Sequence, residues 1–227
     1  EQRDDDILRG VAISGQYWVF KEKSIEQWYL TGADSFIAYR PGSLVDIGLK
    51  AFGLFSEVPN GGFFVGSDNV VYVVSGGGMQ PVSIRAVETA LEQGEADRCY
   101  FYGAEGHKFC VIRFNDRPAW VYDISMNEWH ERAEGENYEP WSAVDSVKAF
   151  GCHFIGTTDG AVRKLVANNY DAVQPLFRRA VSANLNVDGE YFSLDALEFT
   201  GTFGQSRVAI DLGVSLDAGG DVPLGVG

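Results

Sequence analysis

The sequence predicts an all-β fold: a β-propeller-like array of small antiparallel sheets with one short amphipathic helix among them. Two textures point to it. Apolar runs are short and rich in β-branched and aromatic residues, and the breaks between them are made of Gly, Asn and Asp. The third observation is a spacing. The centre of the later strand in each strand-turn-strand unit falls near Trp28, Tyr72, Tyr122, Arg163 and Ile210, giving steps of 44, 50, 41 and 47 residues. Propeller blades repeat at roughly 40–50 residues, because each is a small sheet that cannot cover its own faces and must stack on neighbours. A sandwich, with a turn about every 8–12 residues, fits less well. No signature is shared by all five units, so an irregular multi-sheet β protein stays as the alternative.

The elements follow in order. Gly15 to Phe20 and Ser24 to Leu30 read as strands joined by the charged turn Lys21-Glu22-Lys23. Gly61 to Gly66 and Val70 to Val74 repeat the arrangement around Ser67-Asp68-Asn69. Cys99 to Tyr102, Lys108 to Phe114 and Ala119 to Asp123 form a three-strand unit with turns at Glu105-Gly106 and Asn115-Asp116-Arg117. Ala149 to Gly156 and Ala161 to Val166 flank Thr157-Thr158-Asp159-Gly160, and Ser193 to Thr200 with Ser206 to Ser215 complete the fifth unit. The one helical pattern is SIRAVETALEQG, Ser83 to Gly94, placing a helix near 84–93. There Ile84, Val87 and Leu91 share a face, Ser83 can cap the start, and Gly94 suits a left-handed stop.

In WVYDISMNEWHER, Trp120 and Tyr122 are expected on one face of a strand and Val121 on the other, because side chains alternate. Asp123 to Asn127 then make the turn, Trp129 begins the returning strand, and His130, Glu131 and Arg132 emerge at a sheet edge. Residues 1–227 read as a single domain. The chain opens on Glu1 rather than Met, which suggests a fragment or processed form lacking an amino-terminal part.

At 45% hydrophobic and 22% charged, 227 residues are enough to bury a substantial core without staples. The 32 acidic against 18 basic residues give a net charge of −14 and no basic block, which argues against tight binding of a phosphate backbone. The opening EQRDDD reads as a solvated, flexible end. No run of 18 apolar residues suggests a membrane role. Cys99, Cys110 and Cys152 have neither CxxC spacing nor scaffold density and read as free thiols, the first two packed in strands, as suits a reducing cytosol.

Chemistry finds little purchase. His107, His130 and His153 stand 23 residues apart in different units, without the short spacings that zinc sites use, and no cofactor is implied. Gly151-Cys152-His153 lacks a cysteine-protease context, no GxSxG occurs, and the abundance of carboxylates makes any glycosidase pair uninformative. Gly76-Gly77-Gly78 follows a strand but lacks GxxxxGK[ST], so it reads as a turn. No catalytic, cofactor or metal residue is assigned, and the protein is expected not to be an enzyme. SLDAGG, Ser215 to Gly220, resembles a degenerate Asp-box, whose Asp ties a hairpin turn. With the 13% aromatic content it motivates an alternative: a carbohydrate-binding or glycoside-acting propeller. That alternative requires Trp18, Trp28, Trp120, Trp129 and Trp141 to gather several to one open cleft beside paired carboxylates.

Taken together and in order, SIEQWYLTG (24–32), GGFFVGSDNVVYVV (61–74), PVSIRAVETAL (81–91), EGHKFCVIRF (105–114), AWVYDISMNEWHER (119–132) and DGAVRKL (159–165) resemble the packaged-DNA stabilisation proteins of short-tailed bacteriophages. These stretches span most of the chain. Two departures stand out: the chain is shorter than such proteins, and Glu134 to Ser146 differs in composition. The five units are therefore either an incomplete ring or one closed by a missing portion. The resemblance implies a structural virion protein, assembled in the bacterial host cytoplasm. It would form a homo-oligomeric ring, contact portal or adaptor proteins and tail components, and plug the portal channel until ejection. DNA would at most pass through.

Overall fold

The computed structural model describes residues 3–76, 78–135 and 137–166 in full, and beyond them only the backbone of four short strands. The chain divides into two compact units, Glu1–Phe177 and Arg178–Gly227.

The first unit is a succession of antiparallel meanders. The first sheet is β1 (Ile7–Ile13), β2 (Gln16–Lys21), β3 (Ile25–Leu30) and β4 (Ile37–Tyr39), and the second is β5 (Phe55–Val58), β6 (Gly61–Val65), β7 (Val71–Ser75) and β8 (Gly78–Pro81). Helix α1 (Arg85–Gln93) precedes the third, made of β9 (Ala96–Ala104), β10 (His107–Phe114), β11 (Ala119–Asp123), β12 (Glu128–Glu134) and β13 (Glu139–Pro140). The fourth is β14 (Ala143–Ala149), β15 (Cys152–Thr157) and β16 (Val162–Leu165). Strands β17 (Tyr170–Asp171) and β18 (Gln174–Pro175) pair as a hairpin, and in the second unit β19 (Gly213–Asp217) pairs with β20 (Gly220–Pro223).

The all-β fold with one helix is as the sequence predicts, and so is its period. Trp28, Tyr72, Tyr122 and Arg163 each sit in the third strand of their sheet, so the steps of 44, 50 and 41 residues count equivalent strands in successive sheets. The fifth unit, Ser193 to Ser215 with its centre at Ile210, lies outside the described residues except for the backbone of β19. The first hairpins of the first, third and fourth sheets close on Ser14-Gly15, Glu105-Gly106 and Phe150-Gly151, with φ of 50° and 77°, 52° and 86°, and 51° and 74°. Two consecutive left-handed residues match the right-handed twist of the strands they join.

Three apolar joints hold neighbouring sheets together. Val11, Ile13, Trp18, Phe20 and Ile25 of the first sheet meet Phe55, Phe64, Tyr72 and Val74 of the second, with the Phe20 ring edge-on to Phe55 and Phe64 at 4.9 and 5.1 Å. Phe63, the next-door residue on β6, points the other way, into a second joint with Val65, Val71, Cys99, Cys110, Ile112, Phe114 and Tyr122, closed by Val87 and Leu91 of α1. This explains why β6 is buried along nearly its whole length: both faces of its sheet are covered. Tyr100, Tyr102, Val111, Ala119 and Val121 face a third joint, against Ala143 and Ile155.

The second, third and fourth sheets approach one another at their first strands. β9 lies beside β5 and β14. The Cys99 N–H donates to the Gly53 carbonyl at 2.8 Å, and the Ser146 hydroxyl to the Phe101 carbonyl at 2.7 Å. Sheets that splay outward from adjacent first strands are how propeller blades are arranged.

Several local expectations are corrected. From Arg3 onward the acidic start is not a free, solvated end: Arg3 and Asp5 are tied over the first sheet, and Lys21 is not a solvated turn residue but 1% exposed. Its ammonium donates to Glu26 Oε1 at 3.0 Å and to the Arg3 carbonyl at 2.5 Å, while Asp5 accepts from the Lys23 N–H and the Ser24 hydroxyl. A cation buried this deeply needs such partners, and they come from both sequence neighbours and distant residues. The strand placed at Ala149 to Gly156 is two, because the left-handed Phe150-Gly151 pair ends β14 and opens β15. Ile84 is the exposed residue before α1 rather than part of its buried face, which is Val87 and Leu91. Ser83 does not cap the helix: its hydroxyl donates to Glu88 Oε1 at 2.8 Å and accepts from the Val71 N–H. Gly94 is extended, with φ −112°. What keeps a side chain out of that position is the Ala90 carbonyl, which would lie 2.8 Å from a Cβ, with the more movable Arg117 Nε at 2.5 Å.

Candidate functional site

The three histidines, far apart in sequence, converge on one patch of the third joint. The register brings them there. β10 pairs with β9 so that Phe109 faces Tyr102, and β11 pairs with β12 so that Val121 faces His130. Alternation then puts His107 and Phe109 of β10 on the same face as His130 and Arg132 of β12. The His107 ring stacks on Phe109 at 5.7 Å, His130 meets the same ring edge-on at 5.9 Å, and His153 of β15 approaches Tyr102 at 6.1 Å from across the joint.

At the centre is Arg132. Its guanidinium lies 4.8 Å from the Phe109 ring centre, 5.0 Å from Trp141 and 5.3 Å from Tyr102. Cation–π attraction in an aromatic cage favours the charge, while loss of water opposes it and pushes the Arg132 pKa down to about 10. The Arg132 Nε donates to His130 Nε2 at 3.3 Å. Burial lowers the His130 pKa, against the opposing pull of Asp123 and Glu128.

Asp123 is buried at the end of β11, bonded to His107 Nδ1 at 2.5 Å and accepting from the Ser125 N–H at 2.8 Å. Burial works against its charge, but these donors outweigh it and hold the carboxyl below its ordinary value. The hydroxyls of Tyr100 and Tyr102 and the His153 Nδ1 are buried and have no hydrogen-bond partner among the described residues.

The arrangement does not assemble a metal site: among the described residues no three His, Cys, Asp or Glu side chains are grouped to hold an ion. The convergence was missed because the 23-residue spacings carry no local pattern. The available signal was parity: His107 with Phe109, and His130 with Arg132, each two apart on a strand.

The other residues singled out in the sequence scatter. All three cysteines are free thiols, Cys99 and Cys110 buried in β9 and β10, where burial raises both pKa values and suppresses reactivity. Gly76 and Gly78 belong to the β7–β8 hairpin turn, with Ser75 paired to Gly78 and β8 following directly. The side chains of Ser215 to Gly220 lie outside the described residues; the backbone there pairs Asp217 with Gly220 across a hairpin. Trp18 is buried in the first joint, Trp120 and Trp129 pack on the second, and Trp141 covers Arg132. Trp28 lines an open groove of about 370 Å³ with Tyr17, Tyr29, Leu30, Phe36 and Ile37, and no carboxylate is part of that lining. The tryptophans therefore do not gather in one cleft, and the carbohydrate alternative gains no support from them.

In WVYDISMNEWHER the structure follows the sequence closely. Trp120 and Tyr122 enter the second joint and Val121 the third. The Asn127 N–H donates to the Asp123 carbonyl at 2.8 Å, and β12 returns from Glu128. Only the end differs: His130 and Arg132 turn into the joint rather than out from an edge.

No curated protein matches the chain. Among solved structures it is similar to the computationally designed Ika4 protein, with 16% identity, 73% of this chain and 93% of that chain covered, and a TM-score of 0.42, too low to bear on fold or function. A family model does match, over residues 1–169, and its description is phage stabilisation, Bacteriophage P22 Gp10, beta-propeller. Consecutive small meanders joined face to face, equivalent strands about 40–50 residues apart and a match over most of the chain lead to one conclusion: this chain belongs to the phage DNA-stabilisation family of β-propeller proteins.

Proposed function

We propose that this chain is a structural component of a phage virion, built into a homo-oligomeric ring at the head-to-tail junction, where it extends and plugs the portal channel and retains packaged DNA until ejection. The observation that carries the reading is the family match over residues 1–169. The protein's work is then mechanical rather than catalytic. The stacked sheets supply stiffness through apolar joints, and portal or adaptor proteins and tail components are its partners.

The charge balance agrees with this role independently. A conduit must let a duplex pass, and a net charge of −14 disfavours the release of counterions from phosphates that tight binding requires. Native mass measurement of the purified chain, alone and mixed with its portal protein, tests the proposal. A ring or a portal complex is expected. A strict monomer indifferent to the portal overturns it, as would a ring that holds duplex DNA tightly at physiological salt.

A further inference from the structure

We infer that the third joint is a proton-sensitive coupling: protonation of His130 sets an imidazolium against the caged Arg132 guanidinium and loosens the seat of the fourth sheet. The geometry requires this direction. Arg132 Nε has only a proton to offer, so the contact with His130 Nε2 needs a lone pair on that nitrogen. The imidazole must be neutral and carry its proton on Nδ1. Adding a proton at Nε2 removes the acceptor and leaves two cations where one was bonded.

Among the groups around the pair, Asp123 and Glu128 pull toward the protonated ring, but burial outweighs that pull. From β12 itself come Arg132 and the exposed Glu128, and from β11 comes Asp123, already bonded to His107 Nδ1 and the Ser125 N–H. From β10 come His107 and the apolar Phe109; from β9, Tyr100 and Tyr102. Across the joint stand Trp141, Asp145 and His153, the last edge-on to Tyr102. Glu134 accepts from both the N–H and the hydroxyl of Ser142.

Arg132 is displaced more readily than His130, because its longer side chain has more rotatable bonds. Its departure removes the cation that ties the Tyr102 and Phe109 rings to Trp141, two residues before β14. Burial of His130 agrees with this, since it keeps the ring neutral at pH 7.

The test is backbone hydrogen exchange on the full chain at pH 7.5 and 5.5, corrected for the intrinsic pH dependence of the exchange chemistry. Protection of the paired amides of β14 and β15 is expected to fall several-fold at the lower pH, because the proton binds the opened joint more readily than the closed one. Protection in β6 and β7 stays within about twofold. His130→Gln, which offers a neutral acceptor and does not titrate, is expected to abolish the difference. An equal fall in both regions, or an unchanged fall in His130→Gln, overturns the inference. If that variant does not fold, nitrogen-15 shifts of the imidazole in the parent protein decide. An Nδ1–H tautomer at pH 7.5 that titrates together with the β15 amides supports the coupling, and an Nε2–H tautomer refutes it.

Discussion

The second and third joints use opposite faces of the same sheet, yet they are held by different physics. On one face of the third sheet, Cys99, Cys110, Ile112, Phe114 and Tyr122 meet Phe63, Val65, Val71 and the apolar stripe of α1, a layer in which the Phe63 ring stacks on Tyr122 at 6.3 Å and lies tilted to Trp129 at the same distance. On the other, a shorter apolar layer gives way to Arg132, His107, His130, His153 and two tyrosine hydroxyls that have no partners among the described residues. The apolar joint draws its strength from area removed from water, which no change of pH touches. The polar joint depends on specific protonation states and on donors meeting acceptors. It is therefore where neighbouring sheets are expected to separate first, before the whole unit unfolds.

The sharpest way to break that contrast is to hollow out the apolar side. Phe63→Ala removes a fully buried ring that touches Tyr122 and Trp129. It is expected to cost about 3–5 kcal/mol, read as a lower urea midpoint with the slope unchanged. The Trp129 environment reports the transition, because its Nε1 donates to the Val82 carbonyl at 2.7 Å and would lose that setting.

A smaller effect is expected on the polar side. Arg132→Ala empties the cage between Phe109, Tyr102 and Trp141 and is expected to cost about 2 kcal/mol, through lost packing as much as lost charge. Arg132→Met fills the same space without a buried cation and is expected to recover most of that loss at neutral pH. It also frees His130 from its charged neighbour, so the stability difference between pH 7.5 and 5.5 should shrink. If Met is as costly as Ala, packing is not what the cage provides.

How much of this was legible follows from which signals are local. Alternation and turn residues are local, so the strands around Trp28, Tyr72, Tyr122 and Arg163 could be read, and with them the period. β8, Gly78-Met79-Gln80-Pro81, was not, because Gly and Pro argue against a strand and only pairing with β7 makes it one. β14 was missed for a related reason: AVDSVKA is polar along much of one face, and its burial comes from the third sheet, not from its own composition. Lys21 looked like a turn residue because Asp5 and the Arg3 carbonyl, which surround its ammonium, are 16 and 18 positions away. The site was the least legible part, since it is made by register across four strands and a second sheet.

Acid sharpens the comparison further. Asp123 has a folded pKa below its unfolded value, so its contribution is complete above about pH 3.8 and is lost as the pH falls through the folded value. His130, also depressed, contributes fully above about pH 6.5 and loses its contribution below that. The third joint is therefore expected to weaken in two separate steps. Asp123→Asn keeps an acceptor for the Ser125 N–H but gives up the charge facing His107, whose side chain is 42% exposed. The expected cost is about 1 kcal/mol at pH 7, and the lower of the two steps should disappear while the upper remains.

A comparably small effect is expected at the turn that joins β11 to β12. Asn127 holds φ at 63°, a left-handed conformation that glycine adopts freely and Asn tolerates better than most side chains. Its Oδ1 also accepts from the Tyr122 hydroxyl, tying the turn to the apolar joint. Asn127→Ala keeps the strain and loses the hydrogen bond, so it is expected to cost about 1–1.5 kcal/mol. Asn127→Gly loses the same bond but relieves the backbone, and is expected to fall within about 0.5 kcal/mol of the parent. Thermal unfolding of the pair separates the two contributions. Equal losses in Ala and Gly would mean that the hydrogen bond to Tyr122 sets the cost. A large loss confined to Ala would mean that the backbone does, and that this turn, like Ser14-Gly15 and Glu105-Gly106, is held by its conformation rather than by the joint beneath it.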